Sequence, residues 1–246
     1  MKAMIMAAGL GSRLRPLTDN IPKALMEVGG KTMLERTILQ LKQHGFDELI
    51  INLHHFPEKI KNHLESHDFF GADIRFSEEK DELLDTGGGL KQAAWFFTNS
   101  HNPFLIHNVD ILSNLNLHNL YNFHQKQNAL ATLVVQKRPT SRYLLFDEQN
   151  RLCGWENTKT GKKLVIKNNK TLRRLAFNGI HVTHPSIFNH MPCRKVFSIM
   201  DIYLKAAKEE NILAYIDSES HWFDIGNPES LEKARNFISE NESKNN

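Results

Sequence analysis

The sequence predicts an α/β fold built on a mainly parallel sheet, and three observations support this prediction. Short apolar segments alternate with longer segments of helical periodicity through the first 136 residues. The short segments are almost wholly apolar, which is typical of strands that helices cover on both faces. Glycine, proline and polar residues separate the segments, as expected for the loops of βαβ units. Right-handed crossovers between such strands give a parallel sheet.

The first part of the chain supplies the strands and helices of these units. Strands are expected at residues 2–8, 48–53, 72–76, 104–107 and 130–136. A helix is expected over residues 32–44, where apolar side chains recur at helical spacing and Gly45 serves as a C-terminal cap. Further helices are expected near residues 57–64, after the glycine triplet at 87–89, and at residues 117–127.

The C-terminal part has a different pattern, with shorter strands and loops between them. Strands are expected at residues 143–146, 152–155, 163–166, 174–182 and 213–216. Ser198 is expected to cap a helix that reaches about Glu209, and residues 228–239 form a final amphipathic helix. We predict a single domain over residues 1–240 and a disordered tail over residues 241–246.

Composition excludes several classes of protein. The net charge is only +3 and no basic run occurs, so no nucleic-acid partner is expected. No run of 18 apolar residues is present, so no membrane-spanning helix is expected. Cys153 and Cys193 form no Cys-x-x-Cys pair, which is typical of reduced thiols and predicts a cytoplasmic protein.

A glycine-containing loop directly follows the first predicted strand and reads Ala-Ala-Gly-Leu-Gly-Ser-Arg-Leu-Arg-Pro-Leu-Thr. Gly9 and Gly11 allow backbone N–H groups to approach a phosphate closely. Arg13, Arg15 and Lys23 add positive charge that suits a triphosphate and the pyrophosphate that leaves it. The sequence therefore predicts a phosphate-binding loop.

Two better-known phosphate loops do not fit this segment. Leu14 occupies the place of the third glycine in a dinucleotide fingerprint, which argues against an NAD-dependent oxidoreductase. Gly30, Lys31 and Thr32 resemble the end of a Walker A loop, but Leu25 stands where its first glycine is required.

Two distant aspartates are candidate metal ligands, and taken singly each is better explained as a cap or a salt-bridge partner. Asp110 closes a buried strand in the segment Asn-Val-Asp, and Asp224 lies in the segment Trp-Phe-Asp-Ile-Gly-Asn-Pro. Two carboxylates repel each other unless a cation lies between them, and Mg²⁺ prefers such oxygen ligands beside phosphates. Separately, the segment Asp-Thr-Gly-Gly-Gly at residues 85–89 precedes a helix and suits backbone contacts with a planar base.

These segments, in this order, resemble the motifs of the nucleotidyltransferases that make nucleotide-sugars, and the likeness covers nearly the whole chain. It is greatest for the compact bacterial branch of N-acetylmuramate-1-phosphate uridylyltransferases and mannose-1-phosphate guanylyltransferase-like proteins. The resemblance implies a GT-A-like, Rossmann-type three-layer sandwich with a mixed, mainly parallel sheet. It also implies a nucleotide-binding half over about residues 1–136, a sugar-binding half over about residues 137–240, a Mg²⁺ cofactor, and a role in the cell envelope.

The resemblance also assigns roles to residues of this sequence. The residues expected to be catalytic are Arg13, Lys23, Asp110 and Asp224, of which Asp110 and Asp224 bind the metal. The residues expected to bind the nucleotide are Ala8, Gly9, Gly11, Asn52, Gly87, Gly88 and Asn108. The residues expected to bind the sugar are Glu156, Asn178 and Gly179.

This sequence departs from the family pattern at four of its positions. Asp85 replaces a glutamate of the family motif, Val109 replaces a glycine and Asn227 replaces a threonine. The fourth departure concerns the acceptor, because Asn157 replaces the lysine that often binds the sugar phosphate. Lys137 and Arg142 are candidates to replace that lysine.

The resulting hypothesis is an enzyme that joins a nucleoside triphosphate to a sugar-1-phosphate, with uridine favoured over guanosine by resemblance alone. Two alternatives stay open. One is a non-catalytic regulatory protein that binds a nucleotide-sugar, and the other is a cytidylyltransferase for a non-sugar phosphate such as phosphocholine. The sequence does not indicate an oligomeric state.

Overall fold

The computed structural model describes residues 1–167 and 171–244. The chain forms two compact units. The first contains Met1–Leu83, His107–Leu115 and the chain from Ser220 onward, and the second contains Leu84–Ile106 and Asn116–Glu219. The units interleave along the chain, so they do not coincide with two consecutive halves that divide near residue 136.

The strands and helices are numbered in chain order. The strands are β1 (Lys2–Met6), β2 (Glu27–Val28), β3 (Lys31–Thr32), β4 (Glu48–Leu53), β5 (Asp73–Glu78), β6 (Phe104–Asn108), β7 (Ile111–Ser113), β8 (Ala131–Gln136), β9 (Arg142–Phe146), β10 (Leu152–Asn157), β11 (Lys162–Val165), β12 (Arg173–Thr183), β13 (Ile212–Ile216) and β14 (Trp222–Asp224). The helices are α1 (Met33–Gln43), α2 (Pro57–Ser66), α3 (Asp85–Gln92), α4 (Ala94–Phe97), α5 (Leu117–Lys126), α6 (Ile199–Ala206) and α7 (Pro228–Lys244). Short 3-10 helices occur at Ser12–Leu14, Lys23–Leu25, Asp68–Gly71 and Pro185–His190.

Every predicted strand is present, and β4 has the predicted bounds. Four short strands were not predicted, namely β2, β3, β7 and β14. Helix α3 begins at Asp85, so the glycine triplet lies inside the helix rather than before it. Helix α7 reaches Lys244, beyond the predicted end at residue 239, and residues 245–246 of the predicted tail lie outside the described residues.

The first unit contains the neighbouring strands β1, β4 and β5, in that order, together with the end of β6. Strands β1 and β4 pair in parallel, as do β4 and β5, with Met6 opposite Asn52 and Asn52 opposite Ser77. Because parallel strands end at the same edge, the loops after β1, β4 and β5 emerge together.

The second unit contains mostly antiparallel strands in the order β11-β10-β9-β12, and β8 pairs with both β12 and β13. Among the strand pairs of this unit whose register the structure describes, only β13 with β8 is parallel. The register of β12 against β8 shifts between Phe177 and His181, around Gly179, whose φ is 81°. The mixed sheet with flanking helices confirms the predicted fold class.

A hydrophobic cluster in the first unit supports the loops at this edge. It joins apolar side chains from the glycine-containing loop, β7 and α7, and consists of Leu14, Met26, Val28, Met33, Leu112, Ile225, Leu231 and Ala234. Each of these side chains is at least nine-tenths buried. Within the described ranges, no helix combines the length and the apolar character that crossing a membrane requires.

Candidate active site

The glycine-containing loop turns sharply at Gly11, which has a left-handed conformation with a φ of 66°. The Thr18 hydroxyl donates to the Gly11 carbonyl at 2.8 Å, and the Leu14 N–H donates to the same carbonyl at 2.8 Å. Leu14 is fully buried whereas Arg13 is exposed. The turn therefore anchors the loop in the core through Leu14 and leaves Arg13 available to reach Gly226. Arg15 is also exposed and pairs with Asp19.

The start of the loop is held by a buried side-chain network. Asn52, near the end of β4, accepts the Ala7 N–H through Oδ1 at 2.7 Å and donates through Nδ2 to Glu79 Oε1 at 2.7 Å. Asn52 and Glu79 are each only 3% exposed. Asn52 therefore positions the backbone that leads into Ala8 and Gly9, and its direct contact with a nucleotide stays a prediction. Glu79 was missed, although an acid directly after β5 at this edge was a signal.

An ion pair lies at the centre of the site. Lys23, in a 3-10 helix after Pro22, donates through Nζ to Asp110 Oδ2 at 2.6 Å. The two side chains are 15% and 13% exposed, so water screens this pair less than it screens a surface pair. Asp110 follows β6, where the Val109 N–H donates to the Met6 carbonyl at 3.2 Å and the Val109 side chain is buried. The valine is thus accommodated without displacing the aspartate.

The unpredicted strands β7 and β14 bring the two aspartates together. They pair antiparallel, with Asp224 opposite Ile111, and the Ile225 N–H donates to the Asp110 carbonyl at 3.0 Å. The Gly226 N–H donates to Asp224 Oδ1 at 2.8 Å and fixes that carboxylate. Two residues from distant parts of the sequence therefore become neighbours in one unit.

Arg13 completes this group at Gly226. A Cβ atom at Gly226 would lie 2.5 Å from Arg13 Nη2 and 2.8 Å from Asp224 Oδ1. The guanidinium and the carboxylate therefore both border the space that this glycine leaves open. The first unit thus brings all four residues predicted to be catalytic to one place.

The donor set fits a divalent cation that also binds substrate. No group of three or more His, Cys, Asp or Glu side chains suited to a metal occurs in the described part of the chain. Mg²⁺ commonly takes one or two protein carboxylates and completes its shell with water and substrate phosphates. The contacts with Lys23 and Gly226 each engage one carboxylate oxygen, and a carboxylate accepts about four hydrogen bonds. Asp110 and Asp224 therefore retain capacity for such an ion.

A buried histidine supports the loop that carries Asp110. His107 is fully buried in β6, and its Nδ1 lies 2.8 Å from the Asn108 carbonyl. Burial lowers the pKa of His107 to about 4, so the ring is neutral at pH 7 and Nδ1 carries the proton that this carbonyl accepts. The Asn108 backbone is thereby oriented at the end of the strand.

In the second unit, Gly87 and Gly88 lie in the first turn of α3 and pack against the segment before α6. Their N–H groups donate to the Phe197 carbonyl at 2.9 and 3.2 Å, and a Cβ at Gly88 would lie 2.2 Å from the Lys195 carbonyl. These N–H groups are therefore engaged within the fold itself. Contact of these glycines with a nucleotide stays a prediction.

The residues expected to bind the sugar also lie in the second unit. Glu156 in β10 accepts two hydrogen bonds of 2.8 Å from the Arg174 guanidinium, a partner that the sequence did not reveal. Asn178 is buried in β12, and Gly179 lies where that strand shifts register. Their roles toward a sugar stay predictions.

Comparison with known proteins defines the class to which this fold and site belong. The chain matches the model of the nucleotidyl transferase family over residues 2–241 and belongs to that family. The predicted family membership is thereby confirmed.

Two curated relatives and one solved structure show what the chain is similar to. UTP–glucose-1-phosphate uridylyltransferase from Synechocystis sp. is 26% identical over 97% of this chain and 64% of its own length. Mannose-1-phosphate guanyltransferase from Gibberella zeae is 30% identical over 94% and 62%, respectively. The chain thus spans slightly less than two thirds of these relatives. A putative glucose-1-phosphate thymidylyltransferase from Bacillus anthracis has the same fold, with a TM-score of 0.79, 20% identity, and coverage of 96% and 94%.

Proposed function

We propose that the protein transfers a nucleotidyl group from a nucleoside triphosphate to a sugar-1-phosphate, forming a nucleotide-sugar and pyrophosphate. The observation that carries this proposal is the contact of Lys23 with Asp110, beside Asp224 and Arg13, just after the end of β6. Two cationic side chains next to two carboxylates suit the binding of a triphosphate together with its divalent ion. The names of both curated relatives describe reactions of this class.

The reaction needs no general base. An oxygen of the sugar phosphate is already an anion at neutral pH, and it forms the new bond to the α-phosphorus. The bond from that phosphorus to the oxygen that bridges to the β-phosphate breaks, and its electron pair leaves with pyrophosphate. Because no proton moves, the protein contributes by holding two polyanions in line and by neutralising charge.

Different residues of the site hold the substrates and neutralise their charge. Arg13 is exposed at the loop and binds the β- and γ-phosphates, where negative charge develops. Lys23 is partly buried and contacts the phosphates at the reacting centre. Asp110 and Asp224 would hold Mg²⁺, which would neutralise phosphate charge when bound. Asn52 and Gly11 keep the loop in the shape that presents its N–H groups.

We propose UTP and a hexose-1-phosphate as the first substrates to test. The Synechocystis relative is named for UTP and glucose-1-phosphate, and the Gibberella relative for mannose-1-phosphate and a guanyl group. Both cysteines are free, which supports a cytoplasmic reaction, and we propose that its product supplies the cell envelope.

The experiment is a matrix of five nucleoside triphosphates against a panel of sugar-1-phosphates, scored by pyrophosphate release with Mg²⁺. We expect one preferred pair, and we expect Asp110→Asn and Asp224→Asn to lower kcat on that pair by about 10²–10³-fold without loss of fold. Glu229→Gln changes an exposed acid five residues beyond Asp224 and is the matched control. Near-normal turnover of Asp110→Asn would show that the metal assignment is wrong. Absence of turnover with every pair would favour a regulatory protein.

A further inference from the structure

The second unit contains a polar cavity that the proposed reaction does not use. Its volume is about 490 Å³, within the range of about 300–1,000 Å³ that is typical of small-molecule sites. Among the side chains that line it are His124, His184, Gln125, Asn211, Glu209 and Glu210. The cavity therefore offers imidazole, amide and carboxylate groups to a ligand.

The position of this cavity along the strands separates it from a residue expected to bind the sugar. Its lining includes Leu130 and Asn211, which directly precede β8 and β13, and His184, which directly follows β12. Asn178 lies six residues before His184, a distance of roughly 20 Å in an extended strand. The cavity and that predicted sugar contact are therefore at different places in the unit.

Hydrogen bonds join the segments that form the walls of the cavity. The Leu130 N–H donates to the Asn211 carbonyl at 2.9 Å, and the Leu130 carbonyl accepts the His184 N–H at 2.9 Å. The Asn211 side chain donates through Nδ2 to the Asn128 carbonyl at 3.1 Å, which fixes the orientation of its Oδ1. Because these groups are ordered before a ligand arrives, binding costs less conformational entropy.

The two histidines are neutral, and each carries its proton on Nε2. His184 accepts the Ser186 N–H at Nδ1, at 3.2 Å, so the proton of this ring is on the other nitrogen. His124 Nδ1 lies 2.9 Å from the Thr132 hydroxyl, which has no other hydrogen-bond partner among the described residues and therefore donates to it. Burial, and then the nearby His184, lower the pKa of His124 to about 4, so this ring is neutral at pH 7.

These Nε2–H groups are donors that the fold itself does not use. Neither Nε2 has a hydrogen-bond partner in the part of the chain that the structure describes. His124 is only 2% exposed, yet it lines the cavity. A buried N–H group without an acceptor costs free energy, so an oxygen atom inside the cavity is expected to accept it.

The charges of the lining select against anions. Glu209 and Glu210 are exposed carboxylates, and no lysine or arginine is among the described residues that line the cavity. A phosphate group would therefore meet negative charge without a neighbouring cation. Hydroxyl groups suit the lining, since each hydroxyl both accepts from an imidazole N–H and donates to a carboxylate or amide oxygen. An organic cation would pair with the carboxylates but leave the imidazole donors without acceptors.

We propose that this cavity binds a neutral, hydroxyl-rich small molecule of the size of an unphosphorylated sugar. The Nε2–H groups of His124 and His184 donate to its oxygen atoms. The Glu209 carboxylate and the amide oxygens of Gln125 and Asn211 accept from its hydroxyl groups. This inference does not rest on the proposed function, because no residue assigned to the reaction is among the described residues that line the cavity.

The test is a calorimetric titration of D-glucose into wild type, Gln125→Ala and Glu209→Ala. Both side chains are exposed, so neither change removes a buried contact of the fold. We expect the Kd of glucose to rise at least tenfold in Glu209→Ala, where a hydrogen bond to a charged group is lost, and about threefold in Gln125→Ala. Lys126→Ala and Lys208→Ala change exposed sequence neighbours of these two residues, and these matched controls should leave the Kd unchanged.

Equal glucose affinity in wild type and both lining variants would overturn the proposal, as would the absence of glucose binding to wild type. Glucose-1-phosphate and spermidine, titrated into the same proteins, test the other ligand classes. Spermidine binding that Glu209→Ala weakens, without glucose binding, would assign the cavity to an organic cation and overturn the proposal. A loss of glucose-1-phosphate affinity in Glu209→Ala as large as that of glucose would refute the selection against anions. Because the titrations need no turnover, failure of the proposed function would not affect them.

Discussion

Adding one methyl group at Gly226 tests the geometry that joins Arg13 to Asp224. The new Cβ of Gly226→Ala would lie 2.5 Å from Arg13 Nη2 and 2.8 Å from Asp224 Oδ1, which is about 0.9 and 0.6 Å short of ordinary contact. Gly226 does not have a left-handed φ, so alanine strains no backbone angle there. The guanidinium and the carboxylate must therefore move by close to 1 Å. A displacement of that size in a catalytic group costs about 10²-fold, or roughly 2.7 kcal/mol of transition-state stabilisation.

The assay is steady-state pyrophosphate release together with thermal unfolding of both proteins. We expect kcat/KM to fall about 100-fold while the free energy of unfolding changes by less than about 1 kcal/mol, because both displaced groups end at the surface. A double-mutant cycle with Arg13→Ala supplies the control, since the methyl group should cost less than about tenfold once the guanidinium is absent. Full activity of Gly226→Ala, or an equal cost in both backgrounds, would refute the assigned positions.

Three further predictions concern stability. Gly88→Ala places a methyl group 2.2 Å from the Lys195 carbonyl, so urea unfolding should show a loss of about 2 kcal/mol or more, and unchanged stability would contradict the packing. Asn52→Ala removes the side chain that accepts the Ala7 N–H and donates to Glu79, so we expect the free energy of unfolding to fall by about 2–4 kcal/mol, which Asn52→Gln only partly avoids. Burial lowers the pKa of His124 to about 4. The unfolded chain therefore binds a proton between about pH 6.5 and 4 that the native state does not, and stability should fall by about 3 kcal/mol as the pH drops through that window. In urea titrations at stepped pH, His124→Gln should remove the share of this dependence that comes from His124, while the share from His107 remains.

The apolar pattern was sufficient to predict the main elements of the fold. β4 has the apolar run Leu49–Ile51 at its centre, and its bounds agree with prediction because a buried strand leaves little freedom in composition. β7 and β14 are only three residues long and were missed. The pairing of these two strands depends on contacts between distant parts of the chain, and the local periodicity of the sequence does not indicate such contacts.

The residues of the candidate site could be named from the sequence, but their arrangement in space could not. The aspartates and cations follow from their motifs, whereas the adjacency of Asp110 and Asp224 depends on the pairing that was missed. We predicted that Gly87 and Gly88 contact a ligand. In the fold, both of their N–H groups donate to the Phe197 carbonyl, which approaches them closely. A glycine can be required either by a ligand or by a neighbouring segment of the chain. Tertiary packing decides which of these applies, so the sequence alone could not distinguish them.

The hydrogen bond from Ile225 to Asp110 has a consequence for synthesis of the protein. A chain still emerging from a ribosome has its loop, its first three parallel strands and Asp110 long before β14 is available to pair with β7. Until then the nascent protein has one carboxylate of the pair, and part of the cluster around Leu14 is uncovered because Ile225 and α7 are missing. Contacts of such long sequence separation form late and slowly. The pair of carboxylates is therefore complete only after β14 has been made, and until then the uncovered apolar side chains favour misassociation of the chain.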